Sequence, residues 1–156
     1  MSPLEAGQRA AVVAEAMTWL RTPHHHQAAI KGVGVDCAML PASVYAAVGC
    51  IPPVEFGHYA YQWSLHRKTE LYRDKVREYA TEIPGLPGPG DLVLFKFGLT
   101  FSHGAIVVEW PRIIHAHVRE AVVLADASID GVLLLQADGT PRMREFYTLW
   151  PAGRSE

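Results

Sequence analysis

Apolar positions recur along this chain with a helical period first and a strand period afterwards. Over residues 4–20, Leu4, Ala11, Val12, Ala16, Trp19 and Leu20 fall at helical spacing and predict an amphipathic helix. Arg21-Thr22-Pro23 ends it, because proline cannot extend the hydrogen-bond ladder. Residues 24–36 read as a loop broken by Gly32-Val33-Gly34. A second helix is expected from Cys37 to Val48, with Asp36 as its N-cap, Gly49 as its stop and Pro41 inside its first turns. Pro52-Pro53 punctuates the next connection. Residues 60–80 read as a charged helix with Leu65, Tyr72, Val76 and Tyr79 on one stripe. Arg67, Lys68, Arg73, Lys75 and Arg77 are expected on its solvated face.

The character changes at Pro84-Gly85-Leu86-Pro87-Gly88-Pro89-Gly90, a stiff, kinked connector. Asp91–Phe97 follows as a nearly unbroken apolar run and suits a strand covered on both faces. His103–Glu109, Arg112–Val118, Ala121–Ala125 and Arg144–Trp150 read as further strands, and Val132–Gln136 fits another. Helices first and strands afterwards, with short connections, predict an α+β domain whose helices pack on an antiparallel sheet. The expected organisation is a single domain over 1–156: a helical part to about 82, a Pro/Gly connector over 83–90 and a β part over 91–150.

Composition narrows the function classes. At 156 residues the chain is long enough to bury a core unaided, and 49% hydrophobic against 19% charged residues is globular rather than disordered. A formal net charge of -2 supplies no basic surplus for phosphates, so nucleic acid is not an expected partner. No apolar run reaches the roughly 18 residues that span a membrane. The first eight residues carry no basic segment followed by an apolar stretch, so no secretory signal is expected.

The two cysteines, Cys37 and Cys50, need separate explanations. Thirteen positions apart on one helix, they would stand roughly 20 Å from each other, too far for a disulfide. Cys50 reads as a packing residue. Cys37 opens a helix, where unpaired amides and the dipole favour a thiolate and offer oxyanion donors. A nucleophilic cysteine needs a base, and His103, His115 and His117 stand on adjacent expected strands. A two-residue turn at Trp110-Pro111 would pair 109 with 112 and put His103 on the face opposite His115. An odd register centred near Trp110 would set His103 against His117, with His115 diagonal and in reach. The odd register is expected. His24-His25-His26 reads as a loop lining the cleft. Zinc-type spacings are absent, so neither a metal nor another cofactor is expected. Tyr59, Tyr61 and Trp63 could line a substrate cleft, with core packing the expected role of at least two of them.

Thr22-Pro23, Gly34-Val35-Asp36-Cys37, Gly90-Asp91-Leu92-Val93-Leu94-Phe95, Ser102-His103-Gly104-Ala105-Ile106-Val107 and Ile114-His115-Ala116 resemble, in order and spacing, the NlpC family of papain-like cell-wall peptidases. The likeness runs from about residue 15 to 125. Its stretch from His26-Gln27-Ala28 through Lys31-Gly32-Val33-Gly34-Val35-Asp36-Cys37 looks most like the branch in phage tails and gene transfer agents.

The resemblance implies a papain-like core with Cys37 as nucleophile, His103 as general base and His115 as the residue orienting His103. His24, Asp36 and Ser102 would lie in the substrate and oxyanion vicinity. The implied substrate is the peptidoglycan stem peptide, commonly cut between γ-linked D-glutamate and the diamino acid. The implied partners are phage-like tail proteins. The protein would be cytoplasmic in the producing cell and would act, within a tail particle, in the periplasm of a target cell. The chain departs from the family pattern at His24, where tyrosine is usual, at Gln27-Ala28 in place of Gly-Gly, and at Ala38-Met39 after the cysteine. Two other readings stand beside this one: a structural tail component with weak or no activity, and a papain-like amidase or acyltransferase acting on another amide.

Overall fold

The computed structural model describes residues 1–57 and 70–151. The expectations for His58, Tyr59, Tyr61, Trp63, Leu65, Arg67 and Lys68 fall outside these residues.

Helix α1 spans Pro3–Met17. Ser2 caps it by accepting the Glu5 amide at 3.1 Å, and Pro3 sits where a missing N–H costs nothing. It ends three residues before the expected stop. Thr18, Trp19 and Leu20 instead bond their amides to Glu15, Ala16 and Met17, so the chain tightens into turns while Trp19 stays buried. The apolar stripe thus outlasts the α-helix. Ala29–Ile30 and Gly34–Val35 form a two-stranded hairpin, β1–β2, around Gly32 at φ +79°. Strands of two residues are too short to leave a period in sequence.

Helix α2 spans Met39–Ala47 and begins two residues later than expected. Cys37 and Ala38 form a turn ahead of it. Asp36 still provides the cap: Oδ1 accepts the amides of Ala38 at 3.1 Å and Met39 at 2.8 Å. Pro41 falls in the first turn, where its missing N–H has no intrahelical partner to lose. Gly49, at φ +76°, ends the helix as expected. Helix α3, Leu71–Tyr79, turns Tyr72 into the core.

The strands are β3 Thr81–Ile83, β4 Leu92–Phe97, β5 Thr100–Glu109, β6 Arg112–Ala116, β7 Val122–Asp126 and β8 Arg144–Thr148. They form a six-stranded antiparallel sheet in the order β3-β8-β4-β5-β6-β7. Strand β3 lies where helix end and connector were expected. The expected strand at Val132–Gln136 is instead the one-turn helix α4, Gly131–Leu134. Asp130 explains the difference, since its Oδ1 accepts the amides of Val132 and Leu133 and nucleates the turn. Only Leu135 bridges an extended neighbour, Pro141.

Both faces of β4 are covered, as its apolar run implies. Leu92 and Leu94 pack with Ile106, Ile114 and Tyr147 against Val12 and Ala16 of α1, Leu40 and Val44 of α2, and Tyr72 of α3. Val93 and Phe95 face the other way, with Ala105, Val107 and Ile113, beneath Ala127 and Leu133 of the loop that carries α4. Among the described residues no helix is long and apolar enough to cross a membrane.

One buried ion was not read from the sequence. Arg9 lies on the buried side of α1 and bonds Asp91 Oδ1 at 2.9 Å, the Pro89 carbonyl at 2.9 Å, Glu5 at 2.9 Å and Thr148 at 3.3 Å. Its guanidinium also stacks 4.5 Å from the Trp150 ring centre.

Candidate active site

The register of the β5–β6 hairpin decides where the histidines point. Glu109 pairs with Arg112 across a two-residue turn, the arrangement that alone would separate them. A shift between Val107 and Glu109 then inserts one extra residue, and Val107 pairs with Ile113 and Ile106 with Ile114. The bulge converts the even turn into the expected odd register. His103 and His115 consequently meet: Nε2 of His103 lies 2.7 Å from Nδ1 of His115, with the rings edge to face at 5.0 Å between centres. His117 follows at 6.0 Å from the His115 ring, and its Nδ1 accepts the Arg119 amide at 3.3 Å.

Cys37 comes to β5 from the opposite element. Its thiol donates to the Ser102 carbonyl at 3.5 Å, and the Gly104 amide is directed at the sulfur, so the thiol sits beside the backbone on either side of His103. Ser102 meets Cys37 through this carbonyl, while its hydroxyl contacts the Phe97 carbonyl at 3.5 Å. Gly104 is required there, because a Cβ would overlap the Tyr72 hydroxyl and come within 2.9 Å of its ring carbon Cζ.

The thiolate expectation is not met in this state. Burial first, and then the Asp36 carboxylate, push the Cys37 thiol up from 9.0 to about 12. The amides of Gly104, Cys37 and Ala38 pull it down by less. The oxyanion expectation is also narrowed. Asp36 takes the amides of Ala38 and Met39 through Oδ1, and its carbonyl takes that of Leu40 at 3.0 Å. Of the amides from Cys37 to Leu40, those of Ala38, Met39 and Leu40 are taken by Asp36, and that of Cys37 is directed at its own sulfur. Asp36 Oδ2 meanwhile accepts the Gln27 amide at 2.7 Å and holds that residue at φ +59°.

The histidines are kept neutral. Burial, then the neighbouring His115, His24, His117 and Arg142, hold His103 well below its ordinary 6.5. Burial and His117 bring His115 down to about 4, with Asp130 opposing them. His24 pairs with Val35 beside Asp36, is half-buried and is lowered by burial. His25 turns to solvent, so only part of the triplet lines this site. Phe97 packs edge-on against His103 at 5.3 Å, and Arg142 covers Phe97 from 3.7 Å. Sequence reading missed these two, and no local spacing announces them. Among the described residues no group of three ligating side chains converges as a metal site. Cys50 is free and half-buried against the α2 core, as a packing residue would be.

Chemically, a neutral thiol and a neutral imidazole are gathered at one end of β5. His103 Nε2 is engaged by His115, which leaves Nδ1 as the nitrogen for proton transfer.

No protein-family model matches this chain, and no curated protein matches it in sequence. Solved structures do share its fold. The NlpC/p60 domain of the peptidoglycan hydrolase SagA superposes with a TM-score of 0.56 at 22% identity, covering 77% of this chain and 90% of that one. An NlpC/p60 family protein from Bacillus cereus gives 0.57 at 18% identity, over 80% of this chain and 37% of that one. A lipoprotein-like NLP/P60 family protein from Staphylococcus aureus gives 0.58 at 20%, over 81% and 38%. The chain thus spans well under half the length of the last two. At these identities the likeness establishes the fold, and the chain adopts the papain-like α+β fold of NlpC/p60 domains.

Proposed function

We propose that this protein is a cysteine peptidase that hydrolyses peptidoglycan stem peptides, with Cys37, His103 and His115 as its triad. The observation that carries the reading is the 2.7 Å His103–His115 pair, held on β5 and β6 beside a cysteine at a helix start. His115 holds the His103 ring so that Nδ1 is free. His103 Nδ1 takes the Cys37 proton as the sulfur attacks the carbonyl carbon, and the Cys37 amide, with His24 nearby, receives the developing oxyanion. The same proton passes to the leaving amine, and a thioester remains. Water, deprotonated by His103, then releases the carboxylate and restores the thiol. The thiol and base are neutral at rest, so proton transfer accompanies attack rather than preceding it.

The sequence motifs favour the bond between γ-linked D-glutamate and the diamino acid. They also favour a place in a phage-like tail or gene transfer agent, made in the cytoplasm and acting in a target periplasm. One observation favours a second reading, a structural tail component of weak or no activity: the thiol is raised to about 12 and most amides at its helix start are occupied.

Digestion of purified peptidoglycan, analysed by mass spectrometry with Cys37→Ala as control, tests both. The expected result is a cut within the stem that disappears in the variant. Cleavage surviving Cys37→Ala removes the proposed nucleophile. Release of whole stems from sugar identifies an amidase, and intact stems with the wild-type protein support the structural reading.

A further inference from the structure

The 2.7 Å bond to His115 holds the His103 ring at one nitrogen only. An imidazole tethered at Nε2 can still swing about that contact, and Nδ1 swings with it. Two phenyl rings restrain it. Phe95, its cross-strand partner on β4, lies tilted with 6.2 Å between ring centres, and Phe97 packs edge-on at 5.3 Å. Phe95 is fully buried and fixed by the core. Phe97 is the last residue of β4, beyond the register shift between Phe95 and Lys96, and it is only partly buried. A ring at such a strand end needs a restraint from outside the strand.

Arg142 supplies one. Its Nε donates to the Val132 carbonyl at 2.7 Å, its Nη1 to the Lys96 carbonyl at 2.7 Å and its Nη2 to the Leu135 carbonyl at 3.2 Å. All three guanidinium nitrogens are thus engaged, on the segment that carries α4 and on the end of β4, and the plane of the group is fixed. Its carbon lies 3.7 Å from the centre of the Phe97 ring, so Phe97 packs against a rigid cation and against His103 at once. The three acceptors are neutral carbonyls, which satisfy the guanidinium without cancelling its charge. The groups that face His103 from neighbouring elements are His115 of β6, His117 beyond it, His24 of the segment before β1, and Arg142. Arg142 alone among them carries a permanent charge.

We propose that Arg142 and Phe97 are positioning residues of the site: the guanidinium pins the Phe97 ring, and that ring holds the His103 imidazole with Nε2 on His115 and Nδ1 open to the thiol. The consequence for catalysis rests on the triad reading. The packing of the three side chains stands without it. Both residues act through His103.

Three variants separate the parts. Phe97→Ala removes the ring and keeps the three carbonyl bonds of Arg142. Arg142→Lys keeps the charge and loses the planar clamp, and Arg142→Met loses both. Nuclear magnetic resonance of the histidine rings reads the outcome without reference to activity. The expected wild-type His103 gives one sharp set of ring signals with Overhauser contacts to the Phe97 ring. In Phe97→Ala and Arg142→Lys those signals are expected to broaden or split, with kcat lowered about tenfold and KM unchanged. Arg142→Met is expected to move the His103 titration upward as well, because a fixed positive charge has gone, whereas Arg142→Lys leaves it near the wild-type position. A role in stability alone would move neither the ring signals nor that titration. A His103 ring as ordered in Phe97→Ala and Arg142→Met as in the wild type overturns the proposal, and so does a loss of kcat with the ring unmoved. Should Arg142→Met not fold, Phe97→Ala decides. If the ring loosens as expected but Cys37→Ala still cleaves, the triad reading fails and the clamp on His103 stands.

Discussion

Asp36 acts on Cys37 in two opposed ways. As a cap it starts the helix whose dipole favours a thiolate; as a charge it sits beside the sulfur and disfavours one. Magnitudes decide between them. A helix terminus contributes roughly 0.3–1 kcal/mol, whereas burial of the sulfur first, with the Asp36 charge second, moves the thiol from 9.0 to about 12, which corresponds to about 4 kcal/mol. Alkylation of Cys37, followed by mass spectrometry, should therefore be slow at pH 7 and climb without a plateau up to pH 10. Asp36→Asn keeps an Oδ1 for the Ala38 and Met39 amides and removes the charge. Labelling at pH 8 should rise several-fold, at a stability cost of about 1–2 kcal/mol from the Gln27 amide that loses its acceptor. The cap was legible in the sequence. The sign of the shift was not, because burial of the sulfur and the charge of the cap are facts of packing. His115 makes a second prediction. Its folded value of about 4 lies below 6.5, so the folded state binds fewer protons than the unfolded chain between those values. Stability is full above pH 6.5 and falls as pH drops toward 4, by an amount of order 3 kcal/mol. Urea midpoints at pH 7, 5.5 and 4 check this, and His115→Gln should flatten the slope over that window.

At the scale of elements, the hairpin carries the main lesson. The positions of His103, His115 and His117 were readable, and so was the need for an odd register. The means was not, since the turn itself is even and a bulge between Val107 and Glu109 supplies the odd residue. A bulge shifts the alternation of a strand by one residue, but Ala105-Ile106-Val107-Val108 is apolar throughout, so the shift leaves no mark in the sequence. The run at Val132–Gln136 failed for a related reason. Four consecutive apolar residues have no period, and Asp130 decided in favour of a turn. Helix α3 is fixed to β5 by shape at one point, where Tyr72 occupies the space over Gly104. Gly104→Ala should cost about 1–3 kcal/mol by thermal or urea denaturation, because the added Cβ overlaps the buried Tyr72 ring and hydroxyl. Combining it with Tyr72→Ala should cost less than the sum of the two single changes, because the second opens the space the first requires. Additive losses would show that the close approach carries no energy.

Across the whole molecule, the sheet is held between unequal layers. Helices cover one face, a loop covers the other, and Cys37 lies against the β5 backbone on either side of His103, whose ring bonds His115. Arg9 joins α1, the connector before β4 and the last strand β8 at one buried point. Its position at i, with Val12 at i+3 and Ala16 at i+7, marks it in the sequence as a charge on the core stripe. Only its partner, 82 residues away, required the fold. Removing one member of such a pair leaves an uncompensated buried charge and costs about 3–5 kcal/mol, although the intact pair itself need not stabilise by that much. Arg9→Met should therefore lower the urea midpoint sharply through Asp91, which is 2% exposed. Asp91→Asn in the same chain removes the charge while Oδ1 of asparagine can still accept the Gly88 amide that Asp91 now holds at 2.8 Å. The double variant should then recover a large part of the loss. If it is no more stable than Arg9→Met alone, the cost lies in the lost packing of Arg9 against Trp150 rather than in the stranded carboxylate.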